Sequence, residues 1–174
     1  VSELTRSERV AFSRLRALLE LLPSELDRQL TATGLTSFEF ALLEALNDAE
    51  LHRLRLTALA AKTNATLPRL SRVVSGLERK GLVTRAPCEE DGRATNAILT
   101  SEGATAFATS KPLHDRVVRE KVLEGLDDEG LTNLSSLTLS MLMRLDPEHR
   151  MAATIEPDSA CAADPLPEGT RGAT

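Results

Sequence analysis

A mainly α-helical (α+β) fold carrying one small β-hairpin is the architecture this sequence predicts, on three observations. Apolar residues recur at spacings of three and four over much of the 174-residue chain, the period of a helix with one buried face. Hydrophobic residues make up 41% of the chain but aromatics only 2%, all four of them Phe. The core must therefore be built from Leu, Ala and Val, which favours helices over sheets. Alternation with period two is confined to short pieces near the middle, as short strands require.

Taken in order, Leu15, Leu18, Leu19, Leu22, Leu26 and Leu30 mark a long first helix that Gly34 closes. Its apolar stripe needs a partner. Thr36, with Glu39 three residues on, forms a capping box and opens a second helix whose Phe40, Leu43 and Leu46 share a face. That helix should end near Asn47 and Asp48. The polar-apolar alternation from His52 to Leu56 predicts a short strand, after which Thr57 can cap a brief helix through Lys62. Thr66 is the expected N-cap of a helix running to Lys80, with Pro68 tolerated in its first turn and Gly81 ending it.

Strand-like pieces from Leu82 to Ala86 and from Ala94 to Leu99 flank a polar stretch containing Asp91-Gly92, which predicts a hairpin. Thr100 caps another helix, kinked at Pro112 and ended by Gly125. Asp127 starts the last one, with Leu131, Leu134, Leu137, Met141, Leu142 and Leu145 on its apolar side and Asp146-Pro147 as its stop. Beyond it, Pro, Ala, Gly and acids follow without periodicity, so residues 146–174 are expected to form an acidic, disordered tail.

The formal charge of −5 conceals a partition. Between Arg53 and Arg93 nine basic residues face four acidic ones, whereas from Asp146 onward six acids face two bases. Charge acts locally, so the middle of the chain suits a polyanion despite the acidic total. No apolar stretch is long enough to span a bilayer and no secretory signal precedes the first helix, so the chain is expected in the cytoplasm. Cys88 and Cys161 lie far apart, with neither disulfide nor metal spacing.

On the helix beginning at Thr66, Leu70, Val73, Val74 and Leu77 gather on one side and Pro68, Arg69, Ser71, Arg72, Ser75, Gly76 and Arg79 on the other. No acid occurs from Thr66 to Leu77, whereas a solvated face usually mixes both signs. Ser71 and Ser75 are small enough for the helix to enter a groove, Arg69 and Arg72 have the reach for base edges, and Thr66 at the helix start suits a phosphate. Taken alone, these arginines fit a solvated helix face equally well. Their setting decides: a short helix, a tight turn, a basic helix and a hairpin follow in the order of a winged helix-turn-helix.

The stretches Leu70-Ser71-Arg72-Val73-Val74, Leu77-Glu78-Arg79-Lys80-Gly81-Leu82-Val83, Asp91-Gly92-Arg93 and Leu99-Thr100-Ser101-Glu102-Gly103 resemble the MarR family of transcription regulators. The resemblance implies a homodimer held by N- and C-terminal helices, 4–33 and 101–145, around a winged lobe, 36–100, within one unit of residues 1–145. It implies recognition helices in successive major grooves, Arg93 of the wing in a minor groove, and Asp91 orienting that arginine. It also implies binding of double-stranded DNA at a pseudo-palindromic operator, with repression as the expected outcome, and no catalytic residues. Some relatives sense peroxide through a first-helix cysteine or bind a metal through His, Cys and carboxylate clusters; neither pattern occurs in this sequence, so no metal or cofactor is expected. Relatives in that family often hold a small phenolic or aromatic effector, whose contacts in this chain the sequence leaves unknown. The competing expectation is a winged-helix module that meets an acidic protein partner.

Other signals are weaker. Cys88 stands beside Glu89 and Glu90, which oppose thiolate formation. His52, His114 and His149 are too dispersed in sequence to ligate together. His114 and Asp115 are expected to point apart as a solvated pair.

Overall fold

A computed structural model describes residues 3–88 and 94–148. The hairpin tip with Glu89, Glu90, Asp91, Gly92 and Arg93, and the segment from His149 onward with Cys161, lie outside the described residues. Among the described residues six α-helices and three strands follow in the order α1 (Arg6–Leu30), α2 (Ser37–Asn47), β1 (Arg53–Arg55), α3 (Leu56–Lys62), α4 (Leu67–Arg79), β2 (Val83–Pro87), β3 (Thr95–Leu99), α5 (Ser101–Val118) and α6 (Asp128–Leu145).

Local chemistry sets most of the boundaries. The Thr36 hydroxyl accepts the Glu39 amide at 3.1 Å, and the Glu39 carboxylate accepts the Thr36 amide at 2.9 Å. Two amide donors left over at the start of α2 are thereby satisfied. Asp27 near the end of α1 reaches the same place, accepting the Ser37 amide at 2.6 Å. Thr100 and Asp127 cap α5 and α6 by accepting the amides of Gly103 and Gly130.

One expected boundary is corrected. Helix α3 begins at Leu56 and not after Thr57, because β1 runs straight into it with Arg55 at the cap position and no side chain capping it. Pro112 lies inside α5, which continues to Val118 and passes into a π turn at Arg119–Leu123.

The strands form one antiparallel sheet in the order β1-β3-β2. Val83 pairs with Leu99, Arg85 with Ala97, and Leu54 with Ala97 from the other side. The core lies between α2, α3, α4, the sheet and the first half of α5. Phe40, Leu42, Leu43, Leu46, Leu59, Leu70, Val74 and Leu77 are all fully enclosed. Phe40 sits 5.3 Å from Phe107 and stacks on His114 at 4.2 Å, fastening α2 to α5.

The long helices at either end are different. Of the 25 residues of α1 only Leu30 is buried, and α6 buries none. Leu19 is 67% exposed, Leu137 61% and Leu145 81%. The apolar stripes read from the sequence are therefore present, and within one chain much of each is left exposed, Leu30 being the buried exception. Among the described residues no helix is long and apolar enough to cross a membrane.

Candidate nucleic-acid interface

Helix α4 is positioned by three buried anchors, Leu70, Val74 and Leu77, which point into the core. Val73, expected beside them, is half-buried and packs against the same cluster. With that side fixed, Arg69, Arg72 and Arg79 are carried outward and all three are exposed. The helix ends at Arg79, and Gly81 turns the chain toward β2 with a φ of 74°, a conformation costly for residues with a Cβ.

The expected site residues occupy distinct environments. Thr66 takes the N-cap conformation, but its hydroxyl makes no capping bond to the helix, and Pro68 follows in the first turn. The positive end of α4 is thus exposed and, among the described residues, has no side-chain cap from Thr66, an arrangement that favours an anion. Arg69 lies over the Phe38 ring at 4.3 Å, leaning toward α2. Such an exposed cation-π contact is worth only about 0.5–1 kcal/mol and is readily given up. Arg72, one position beyond Ser71, has no hydrogen-bond or ion-pair partner among the described residues and stands in solvent. Arg79 donates from Nε to the Ser75 carbonyl at 3.3 Å.

Ser71 and Ser75 are half-buried, and both are engaged by Arg85 of β2. Its Nη1 lies 3.1 Å from Ser75 Oγ, and its Nη2 lies 2.9 Å from the Ser71 carbonyl and 3.4 Å from Ser71 Oγ. Glu78 completes the cluster at 3.0 Å from Nη1. Sequence reading counted Arg85 only as one more positive charge. The signal that marks it is strand alternation: Arg85 lies two residues after buried Val83, so it shares the inward face of β2.

Lys80 is likewise withdrawn from the surface charge. Its Nζ lies 2.7 Å from the buried Glu39 carboxylate and 2.9 Å from the Gly34 carbonyl, tying the end of α4 to the start of α2. Lys80→Met is expected to cost about 2 kcal/mol by leaving a desolvated carboxylate underpaired. A urea midpoint equal to that of the unaltered chain would show that the pair does not hold the lobe together.

With Lys80 and Arg85 paired inward, the outward charge of α4 comes from Arg69, Arg72 and Arg79 alone. A shallow cleft of about 270 Å³ lined by Arg55, Leu56, Thr57, Leu67, Ser71, Ala94 and Thr95 opens beside the start of the helix. Asp91 and Arg93, expected at the wing tip, lie outside the described residues.

The side chains singled out for other chemistry do not converge. Cys88 is buried at the end of the hairpin arm, its amide bonded to the Ala94 carbonyl at 2.9 Å. His114 and Asp115 do touch, at 3.3 Å, contrary to expectation, because His114 is turned by its stacking on Phe40. The Lys111 hydrogen bond, with His114 assisting, holds the Asp115 carboxyl below its usual value. The Lys111 amine beside them is held in its charged form by that bond to Asp115, and among the described residues no three His, Cys, Asp or Glu side chains group as a metal site.

Comparison with known proteins agrees with this geometry. A model of the MarR family matches residues 33–94, from the turn after α1 to the residue before β3. Over 96 residues the chain is 35% identical to the HTH-type transcriptional repressor YetL of Bacillus subtilis (strain 168), a match spanning 55% of this chain and 57% of that protein. The chain thus spans little more than half the length of that relative. The crystal structure of AbsC, a MarR family transcriptional regulator from Streptomyces coelicolor, superposes with a TM-score of 0.80 at 30% identity, covering 84% of this chain and 99% of AbsC. A second MarR family regulator from that organism, solved in complex with DNA, gives 0.81 at 33% identity, covering 84% and 92% of the two chains.

Proposed function

Because this chain belongs to the MarR family of transcription regulators, which are not enzymes, we propose that it binds double-stranded DNA sequence-specifically as a cytoplasmic homodimer and represses transcription from a pseudo-palindromic operator. The observation that carries the reading is the outward face of α4: Arg69, Arg72 and Arg79 exposed, no acid before Glu78, and an uncapped helix start at Thr66. A helix so charged fits the major groove, where arginine pairs with guanine edges. In this reading Thr66 and Pro68 meet the phosphate backbone, Arg69 leaves Phe38 to join Arg72 at the bases, and Arg79 holds a phosphate. Ser71 and Ser75 contribute by being small, since their hydroxyls already face Arg85. Arg93, oriented by Asp91, enters the flanking minor groove.

The dimer is supported by α1 and α6, which leave Leu18, Leu19, Leu137, Met141 and Leu145 exposed within one chain. Residues 4–33 and 101–145 would form the shared helical region and 36–100 the DNA-binding lobe. Twofold symmetry then sets the half-sites about one helical turn, roughly 34–36 Å, apart.

Selection from random duplexes tests the reading. An inverted repeat should emerge, with affinity falling steeply as salt rises because bound cations are released from the phosphates. Arg72→Ala should relax the preference at one base position by about 1–3 kcal/mol, whereas Arg93→Ala should weaken binding evenly across sequences. A dimer that enriches no duplex at low ionic strength, but captures an acidic protein, would replace this function with protein recognition.

A further inference from the structure

We propose that Arg85 is a positioning residue for sequence recognition: it locks α4 at a fixed angle to the wing and so determines which way Arg72 points, without touching DNA itself. This rests on the DNA-binding function proposed above. The guanidinium bridges three residues of one helix face, Ser71, Ser75 and Glu78, at 2.9–3.4 Å. Those positions are four and three apart, so one rigid group spans two successive turns. Its donors lie in a planar fork, and two of its nitrogens are held at once. Helix rotation is therefore resisted as well as displacement. Arg85 itself is held by the sheet, paired in register with Ala97 at the centre of the antiparallel β2-β3 pair.

Two further observations favour geometry over simple stability. The Nε atom is buried with no hydrogen-bond partner, so an apolar side chain of similar length would fill this space at a lower desolvation cost. The Arg85 side chain is only 27% exposed, and both its terminal nitrogens point at α4 acceptors, which leaves it poorly placed to meet a phosphate. Arg72 follows Ser71 by about 100° around the helix. Fixing the Ser71 carbonyl thereby fixes the direction in which Arg72 leaves the helix.

The test uses Arg85→Met and Arg85→Lys in the full chain, each checked for a cooperative unfolding transition. Affinities for the duplex selected by the unaltered protein and for a scrambled duplex are then measured across a salt series. In both variants the ratio of the two affinities is expected to fall about tenfold, the scale of one lost base contact, while the salt slope stays unchanged. Lys should not rescue, since a single ammonium cannot span two turns. A salt slope smaller by about 0.9 would mean that Arg85 neutralises a phosphate itself, and overturns the proposal. So would an unchanged ratio, or full rescue by Lys. If the Arg85 variants fail to unfold cooperatively, the Ser75→Ala/Glu78→Ala double variant removes two of the acceptors and carries the same expectation. An unaltered chain that selects no duplex overturns the DNA-binding function itself, a result distinct from variants that merely match the unaltered chain.

Discussion

Gly103→Ala should destabilise the chain by about 3 kcal/mol, near the upper end for overpacking a core, although alanine is the better helix former by about 1 kcal/mol. Gly103 lies in the first turn of α5, pressed against the hinge between α4 and β2. A Cβ there would fall 2.1 Å from the Leu82 carbonyl oxygen, 2.8 Å from Leu99 Cδ1 and 3.0 Å from the Leu82 carbonyl carbon. The nearest obstacle is backbone, and that carbonyl already accepts the Thr100 amide at 3.1 Å. No side-chain rotation relieves the contact, so either α5 lifts away or the hinge shifts. Leu82 follows Gly81 at the end of α4, so a shifted hinge also tilts the basic helix. Urea unfolding should show the lost stability, and affinity for the selected duplex should fall with it. A midpoint within error of the unaltered protein would mean that the first turn of α5 has room to move, contrary to the packing described.

Leu137→Asp is the second change with a large expected effect, because it separates a lone chain from an assembled one. Leu137 is 61% exposed on a helix that buries nothing within its own chain. In a monomer the substitution lies on the surface, and surface changes usually stay within about 0.5 kcal/mol. In a homodimer closed over α1 and α6 it would bury an unpaired carboxylate, costing about 3 kcal/mol or more. Sedimentation should then show a dimer for the unaltered chain and a much weaker one for the variant. Helicity should fall as well, since an 18-residue helix without tertiary cover is marginal in water. An unaltered chain that sediments as a monomer at micromolar concentration would rule out the proposed assembly.

Features that depend on neighbours in the chain were legible in the sequence. The capping box of Thr36 and Glu39, the caps at Thr100 and Asp127, and the inward set Leu70, Val74 and Leu77 all follow from contacts within a few residues. Features that depend on distant partners were not. Lys80 and Glu39 are 41 positions apart, and Arg85 is ten from Ser75, so pattern alone leaves both cations looking like surface charge. The Thr57 cap failed because a strand can pass directly into a helix with no capping side chain between them. The contact between His114 and Asp115 was hidden because stacking on Phe40, a tertiary event, chooses the imidazole rotamer. The outward arginines of α4 were found because a helix with one apolar stripe leaves its other side chains only one place to go.

The small sheet has a consequence for solubility in a protein that leaves so many leucines uncovered. Its outer strands are β1 and β2, whose free sides offer backbone donors and acceptors to any passing extended chain. Strand β1 is only three residues long, Arg53–Arg55, so an approaching strand runs out of partners at once. Strand β2 ends in Pro87, which offers no amide, and Arg85 binds it to α4. Edge-to-edge aggregation is thus discouraged at both margins, and stickiness is left to the helices, where a twofold arrangement can saturate it.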